Sequence, residues 1–225
     1  MKQFKTIYQR AVERKDGEEN LKALFPDNIH SNSTLSRVSD DFYLAAMTKA
    51  VFKAGFVWKV VDHKWLGFEQ AFWNFNVDRC AWMSPDDIDK LIVDERIIRN
   101  HQKIMSVLSN AAMILALRES HGSAGQFIAD WPCSDFVGLL QFLNKNGSRL
   151  GPRTCQYFLR SLGKDGFILG ADGVAALIDA GVVDRYPVSK RDMKQVQDAF
   201  NTWQQSSGLC LADISKVLAL SVDVG

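Results

Sequence analysis

Apolar residues in this chain recur at intervals of three and four, and that spacing dominates the pattern. Ile104, Val107, Leu108, Ala111, Ile114 and Leu115 form one stripe along a long helix. No segment shows a comparable apolar–polar alternation of period two, so strands are not expected. The spacing predicts helices over 3–14, 18–24, 39–54, 57–73, 85–96, 99–119, 133–145, 151–162, 172–180, 190–205 and 210–220. Start signals agree. Ser84-Pro85-Asp86-Asp87 combines a hydroxyl cap, proline at the first helical position and acid in the first turn, and Ser189 with Asp192 has the form of a capping box. Gly55, Gly122, Gly147, Gly163 and Gly181 fall where helices should stop in the left-handed conformation. The reading is all-α, a compact helical domain over 1–225, with 26–38 as a surface loop and no internal repeat.

Composition narrows the class. The chain has 225 residues, 47% hydrophobic and 24% charged, the balance of a folded globular protein and not of a disordered one. The opening 20 residues are charged throughout, and no apolar run approaches the length of about 18 needed to span a bilayer, so neither secretion nor membrane insertion is expected. Cys80, Cys133, Cys155 and Cys210 lack any CxxC pairing, which argues against a disulfide framework or zinc ribbon and for a reducing cytoplasm.

Net charge is only +1, but its distribution is uneven. Residues 145–194 carry 9 basic against 5 acidic residues, an excess absent from the rest of the chain. These are Lys145, Arg149, Arg153, Arg160, Lys164, Arg185, Lys190, Arg191 and Lys194, of which about half are expected to reach phosphates. At the start of this segment, Lys145-Asn-Gly-Ser-Arg-Leu-Gly-Pro-Arg-Thr154 is a turn between two apolar helices. A helix opening at such a turn presents unpaired N–H groups, a seat for a phosphate oxygen, with Arg149 and Arg153 adding charge. The plainer reading, an αα-corner with solvated arginines, stays open on the local pattern alone.

The wider sequence adds a resemblance. From Leu150-Gly151-Pro-Arg-Thr154 through Phe167-Ile-Leu-Gly-Ala-Asp172, the chain resembles the helix-hairpin-helix superfamily of base-excision DNA glycosylases. Upstream it is similar to the DNA-3-methyladenine glycosylase I family. Ala54-Gly55-Phe56-Val57-Trp58 resembles that family's AGLSW; Ile97-Ile98-Arg99-Asn-His-Gln-Lys103-Ile104 with Asn110-Ala111 resembles its IIRHRGKI and NAR; Gly151, Cys155 and Phe158 match its GxxxCxxF. Several spaced motifs in order are more specific than any one of them. The resemblance runs from about 39 to about 220 and places a helix-hairpin-helix near 133–162.

This resemblance implies an enzyme of DNA base-excision repair acting on damaged double-stranded DNA, here expected as a cytoplasmic monomer without cofactor. Arg149, Leu150, Gly151, Arg153 and Thr154 would grip the DNA backbone. Phe56 would plug the gap left by an everted nucleotide, and Trp58 with Ala50 would line the base pocket. Asp172 stands where the superfamily carries its catalytic aspartate, a buried carboxylate stabilising oxocarbenium character at C1′; its simpler role is a helix N-cap. The lyases of the superfamily use a lysine where this chain has Arg153, a poor nucleophile, so monofunctional hydrolysis is expected.

Two departures stand out. The family's zinc clip uses Cys and His at both chain ends, but here no Cys precedes Cys80 and no His follows His121, so no metal is expected. The family's pocket glutamate is replaced by Ala50. An alkylated purine such as 3-methyladenine is the expected substrate. A non-catalytic DNA-damage-binding module is the alternative, and an unrelated helical interaction domain would make the ordered motifs coincidence.

Overall fold

The computed structural model describes residues 1–222. Among them, fifteen α-helices follow in order: α1 (Phe4–Arg14), α2 (Glu18–Lys22), α3 (Asn32–Leu35), α4 (Asp40–Lys53), α5 (Trp58–His63), α6 (Trp65–Ala71), α7 (Val77–Ala81), α8 (Pro85–Val93), α9 (His101–His121), α10 (Ala124–Asp130), α11 (Phe136–Asn146), α12 (Pro152–Ser161), α13 (Ala171–Asp179), α14 (Lys190–Ser207) and α15 (Leu211–Leu220). No strand occurs among the described residues, as the period-two absence predicts. None of these helices is long and apolar enough to cross a membrane.

The sequence predicts one domain; the fold divides into two compact units, the first built from 1–29, 132–138 and 165–225 and the second from 30–131 and 139–164. The chain starts in the first unit, enters the second at residue 30, returns for 132–138, enters the second again for 139–164 and ends in the first. No composition break marks the crossings, because α11 itself begins in the first unit and continues in the second.

In the first unit, α1 and α13 pack on α15, with α14 alongside. Phe136, Phe167, Phe200 and Trp203 form a continuous row of rings, with centroids 5.0, 4.3 and 5.8 Å apart in turn; the middle pair is stacked and the outer two meet edge to face. The Asp165 carboxylate accepts from the N–H groups of Leu211 and Ala212, capping α15 from 46 residues away. The Ser189–Asp192 capping box that opens α14 is present as expected.

In the second unit, α9 is the central helix and packs against α4, α7, α8 and α10. Ile104, Val107, Ala111 and Ile114 are buried, as the stripe predicts, while Leu108 and Leu115 lie at its half-exposed edge. Asp40 joins three elements: it accepts from the Arg118 guanidinium at 2.9 Å and from the Ala124 N–H at 2.8 Å, at the start of α10. The Ser84–Asp87 capping box opens α8.

The differences from the predicted elements have local causes. The helix expected over 57–73 breaks at Lys64, whose ammonium donates to the Glu95 carbonyl. Beyond the break, α6 lies so close to the turn after α8 that a Cβ on Gly67 would meet the Arg96 carbonyl oxygen at 2.5 Å. The expected loop 26–38 contains α3, capped by the Ser31 hydroxyl and anchored by buried Leu35. Short helices α7 and α10, capped by Asn76 and Ser123, were not predicted. Between α6 and α7, Trp73, Asn74 and Phe75 take φ of +50°, +54° and +57°, a left-handed turn made without glycine. It is held by Phe75 stacked on Phe72 and Trp65, and by Arg79 lying 4.4 Å over Trp73.

Of the expected glycine stops, Gly55, Gly122, Gly163 and Gly181 take positive φ; Gly147 does not. Gly147 is demanded by space instead, since a Cβ there would lie 2.5 Å from Leu150 Cδ1 and 2.8 Å from the Leu143 carbonyl oxygen.

Candidate nucleic-acid interface

The hairpin lies within the second unit, between α11 and α12. Its turn is fastened at three successive residues. Asn110, buried on α9, donates to the Ser148 carbonyl at 3.2 Å and accepts from the Ser148 N–H at 2.7 Å. Arg149 donates to Gln102 at 2.7 Å. Leu150 is buried, and its carbonyl accepts from Asn144 at 2.9 Å and from the Cys155 thiol at 3.1 Å. Burial pushes that thiol up to about 12.

Arg149 has φ of +59° and occupies the left-handed position that glycine fills at low cost. Immediately after it, α12 opens with Gly151 at the N-cap, Pro152 at its first position and no side-chain cap. A Cβ added at Gly151 would meet nothing within 4 Å. The protein's own packing therefore leaves this helix end open, with the Arg153 and Thr154 backbone at its mouth and the side chains of Arg149 and Arg153 exposed. Such an end combines partial positive charge, donors and room for an anion.

The second feature is the loop leaving α4. Gly55, at φ of +69°, reverses the chain, and Phe56, Val57 and Trp58 project outward at 46%, 64% and 47% exposure. Three successive large apolar residues held in solvent do not contribute to the core. Phe52 and Phe68 nearby are core residues, whereas Phe56 and Trp58 are not.

The structure brings this loop and the hairpin together within the one unit. Trp58 meets Tyr157 of α12 edge to face at 5.2 Å; Lys53 lies 5.1 Å over Trp58, and Arg153 lies 5.9 Å over Tyr157. Lys53 and Lys49 both pair with Asp62, holding its carboxyl below the usual range. Ala50 sits half-buried one turn before the end of α4 and offers no polar atom beyond its backbone.

Lys103, within the Ile97–Ile104 motif, takes a part that its sequence position does not announce. On α9 it is buried, and its ammonium donates to the carbonyls of Phe52 at 3.1 Å and Ala54 at 2.8 Å. Burial, and then the neighbouring Arg149 cation, hold its pKa below the ordinary lysine value. Asn110, seven residues from Lys103, shares its buried face of α9, a signal available in the sequence; Gln102, next to Lys103 in sequence, is exposed and carries no such signal.

Lys164 belongs to the part of the basic segment that does not reach phosphate: it is buried, and its ammonium donates to the carbonyls of Ala129 at 3.3 Å and Trp131 at 2.6 Å, closing α10. One expectation is corrected. Asp172 belongs to the first unit, where it is exposed and not buried, and it is not the N-cap, because Gly170 holds that place and Asp172 lies in the first turn of α13. There its charge favours the helix N-terminus. The basic segment also divides, with Lys145 to Lys164 in the second unit and Arg185 to Lys194 in the first. Among the described residues, no three His, Cys, Asp or Glu side chains gather as metal ligands, so the donor set of a zinc clip is not assembled.

Residues 35–144 match the methyladenine glycosylase family model. The match takes in the Phe56–Trp58 loop and α9 and ends before the hairpin turn. Among solved structures, the chain is similar to the 3-methyladenine DNA glycosylase I of Staphylococcus aureus, at 23% identity over 56% of this chain and 77% of that one, with a TM-score of 0.50. A second likeness is the 8-oxoguanine glycosylase/lyase of Methanocaldococcus jannaschii, solved with DNA containing 8-oxoguanine, at 12% identity over 95% of both chains and a TM-score of 0.54. A solution structure of 3-methyladenine DNA glycosylase I gives 19% identity over 76% of this chain and 91% of that one, with a TM-score of 0.50. At these identities the structures speak for a shared helical fold. Residues 35–144, with the outward loop and the helix that carries Lys103 and Asn110, are the part of the chain that is similar to the methyladenine glycosylase family.

Proposed function

We propose that this protein is a DNA base-excision repair glycosylase that hydrolyses the N-glycosidic bond of an alkylated purine, such as 3-methyladenine, in damaged double-stranded DNA. The observation that carries this reading is the apposition, within one unit, of an exposed aromatic loop and an open, cationic helix end. Backbone phosphates bind at Arg149, Leu150, Gly151, Arg153 and Thr154. Phe56 fills the space of the everted nucleotide, and the base lies against Trp58 beside Ala50. A base alkylated at a ring nitrogen is cationic and departs neutral, carrying the electrons of the glycosidic bond. Water supplies the oxygen that bonds to C1′ and releases its proton to a carboxylate or to solvent. Asp172 is the proposed carboxylate. Its exposure limits it to a modest electrostatic contribution, which suits a leaving group that needs little help.

With Arg153 in place of an amine nucleophile, no Schiff base forms and the strand stays intact. The protein acts as a cytoplasmic monomer. Incubation with methylated duplex DNA and chromatography of the released bases tests the reading, with 3-methyladenine expected in the supernatant. Asp172→Asn should lower the rate; equal rates would remove Asp172 from the mechanism. A borohydride-trapped adduct with abasic DNA would refute monofunctional hydrolysis. Ala50 and the exposed Asp172 favour one second reading, a damage-binding module without excision, which would bind abasic-site DNA yet release no base.

A further inference from the structure

Lys103 carries a cost that packing does not require. A buried ammonium without a carboxylate partner among the described residues is unfavourable, and an apolar side chain of the same length would fill the space more cheaply. What the ammonium alone supplies is a fixed position for two carbonyls. Those carbonyls, of Phe52 and Ala54, stand at the negative end of α4 and lead directly into the Gly55 reversal that sends Phe56 outward. The same ammonium lies 5.7 Å from the ring centroids of both Phe52 and Phe56. Lys103 therefore holds the loop at its backbone and at its exposed ring together, from the helix whose Gln102 and Asn110 hold the hairpin.

We infer that Lys103 is a positioning residue that sets the Phe56 loop in register with the hairpin, so that the ring enters the duplex where the phosphates are gripped. This rests on the glycosylase reading above and extends it to a residue that touches no DNA. Release of the loop separates two properties. Non-specific binding, set by hairpin cations, should be unaffected; preference for a site with a missing base, which needs an aromatic held at one place, should fall.

The test is competitive binding of the full chain to a duplex with one tetrahydrofuran abasic site and to the same duplex intact. Lys103→Met should reduce the preference for the abasic duplex about tenfold, as removal of an oriented aromatic anchor does, and leave intact-duplex affinity and its salt dependence unchanged. Phe56→Ala should lose a similar factor, and the double variant should lose no more than either alone, because both act through one ring. A purely structural lysine would not show that non-additivity. Preference retained in Lys103→Met, or losses that multiply in the double variant, would overturn the assignment. No preference in the unmodified protein would instead overturn the glycosylase reading and this inference with it. Should Lys103→Met not fold, Lys103→Ala, which likewise removes the donor to both carbonyls, serves the same comparison, and unchanged preference in it counts equally against the proposal.

Discussion

At Arg149 the usual ranking of alanine over glycine should invert. Elsewhere in ordered structure, glycine costs about 0.5 to 1 kcal/mol relative to alanine through backbone entropy. At φ of +59°, however, any residue with a Cβ carries about 1 to 2 kcal/mol of left-handed strain. Arg149→Gly and Arg149→Ala both delete the exposed bond to Gln102 and the cation, so their difference isolates the backbone. The midpoints of the two ranges leave the glycine variant about 0.75 kcal/mol more stable than the alanine variant. Urea unfolding midpoints, with equal slopes, read this directly. A glycine variant no more stable than the alanine one would refute the left-handed assignment. The same pair tests the phosphate contact: each variant should reduce the slope of log affinity against log salt by about 0.9, or about 3.5-fold less affinity lost on a fourfold rise in salt. An unchanged slope in both would remove Arg149 from the DNA interface.

Other outcomes follow from the same structure. Lys164→Met should cost about 2 kcal/mol, because two carbonyls lose their charged donor, yet leave the salt slope of DNA binding unchanged, unlike Arg153→Ala; a reduced slope would return Lys164 to the interface. Cys80, Cys155 and Cys210 have thiols pushed up to about 12 by burial, so at pH 8 all three should resist a disulfide reagent in the native protein, with labelling mapped by mass spectrometry; rapid reaction at Cys155 would contradict its packing. The carboxyls of Asp62, Asp87, Asp94 and Asp179 are held below the usual range, chiefly by hydrogen bonds from Lys53, the Ser84 backbone, Arg96 and Lys2 in turn. Their folded pKa values lie below their unfolded ones, so the stability they contribute is present above about pH 4 and is lost as pH falls through the folded values. The melting temperature should drop in that window, and Asp94→Asn should flatten the drop; an identical profile in that variant would refute the assignment.

What the sequence determined by itself was the set of interactions that close within a few residues. The stripe of α9, the boxes at Ser84 and Ser189, and the reversal at Gly55 are each specified by neighbours three or four positions apart, and all are found. The hairpin was legible for the same reason, as a short turn between two apolar helices. Only tertiary structure decided matters settled by distant groups. Lys103 and Lys164 look like any surface lysines in the sequence, yet each closes a helix from 49 and 33 residues away, at Ala54 and Trp131. The left-handed Trp73–Phe75 turn carries no glycine to announce it and persists because Trp65, Phe72 and Arg79 enclose it. Exposure of Phe56 and Trp58 is likewise invisible to spacing, since an aromatic at helical period reads as core until the fold shows that nothing covers it. Local propensity is additive along the chain, whereas burial of a charge or exposure of a ring depends on which segments meet, and that is specified only once the chain has folded.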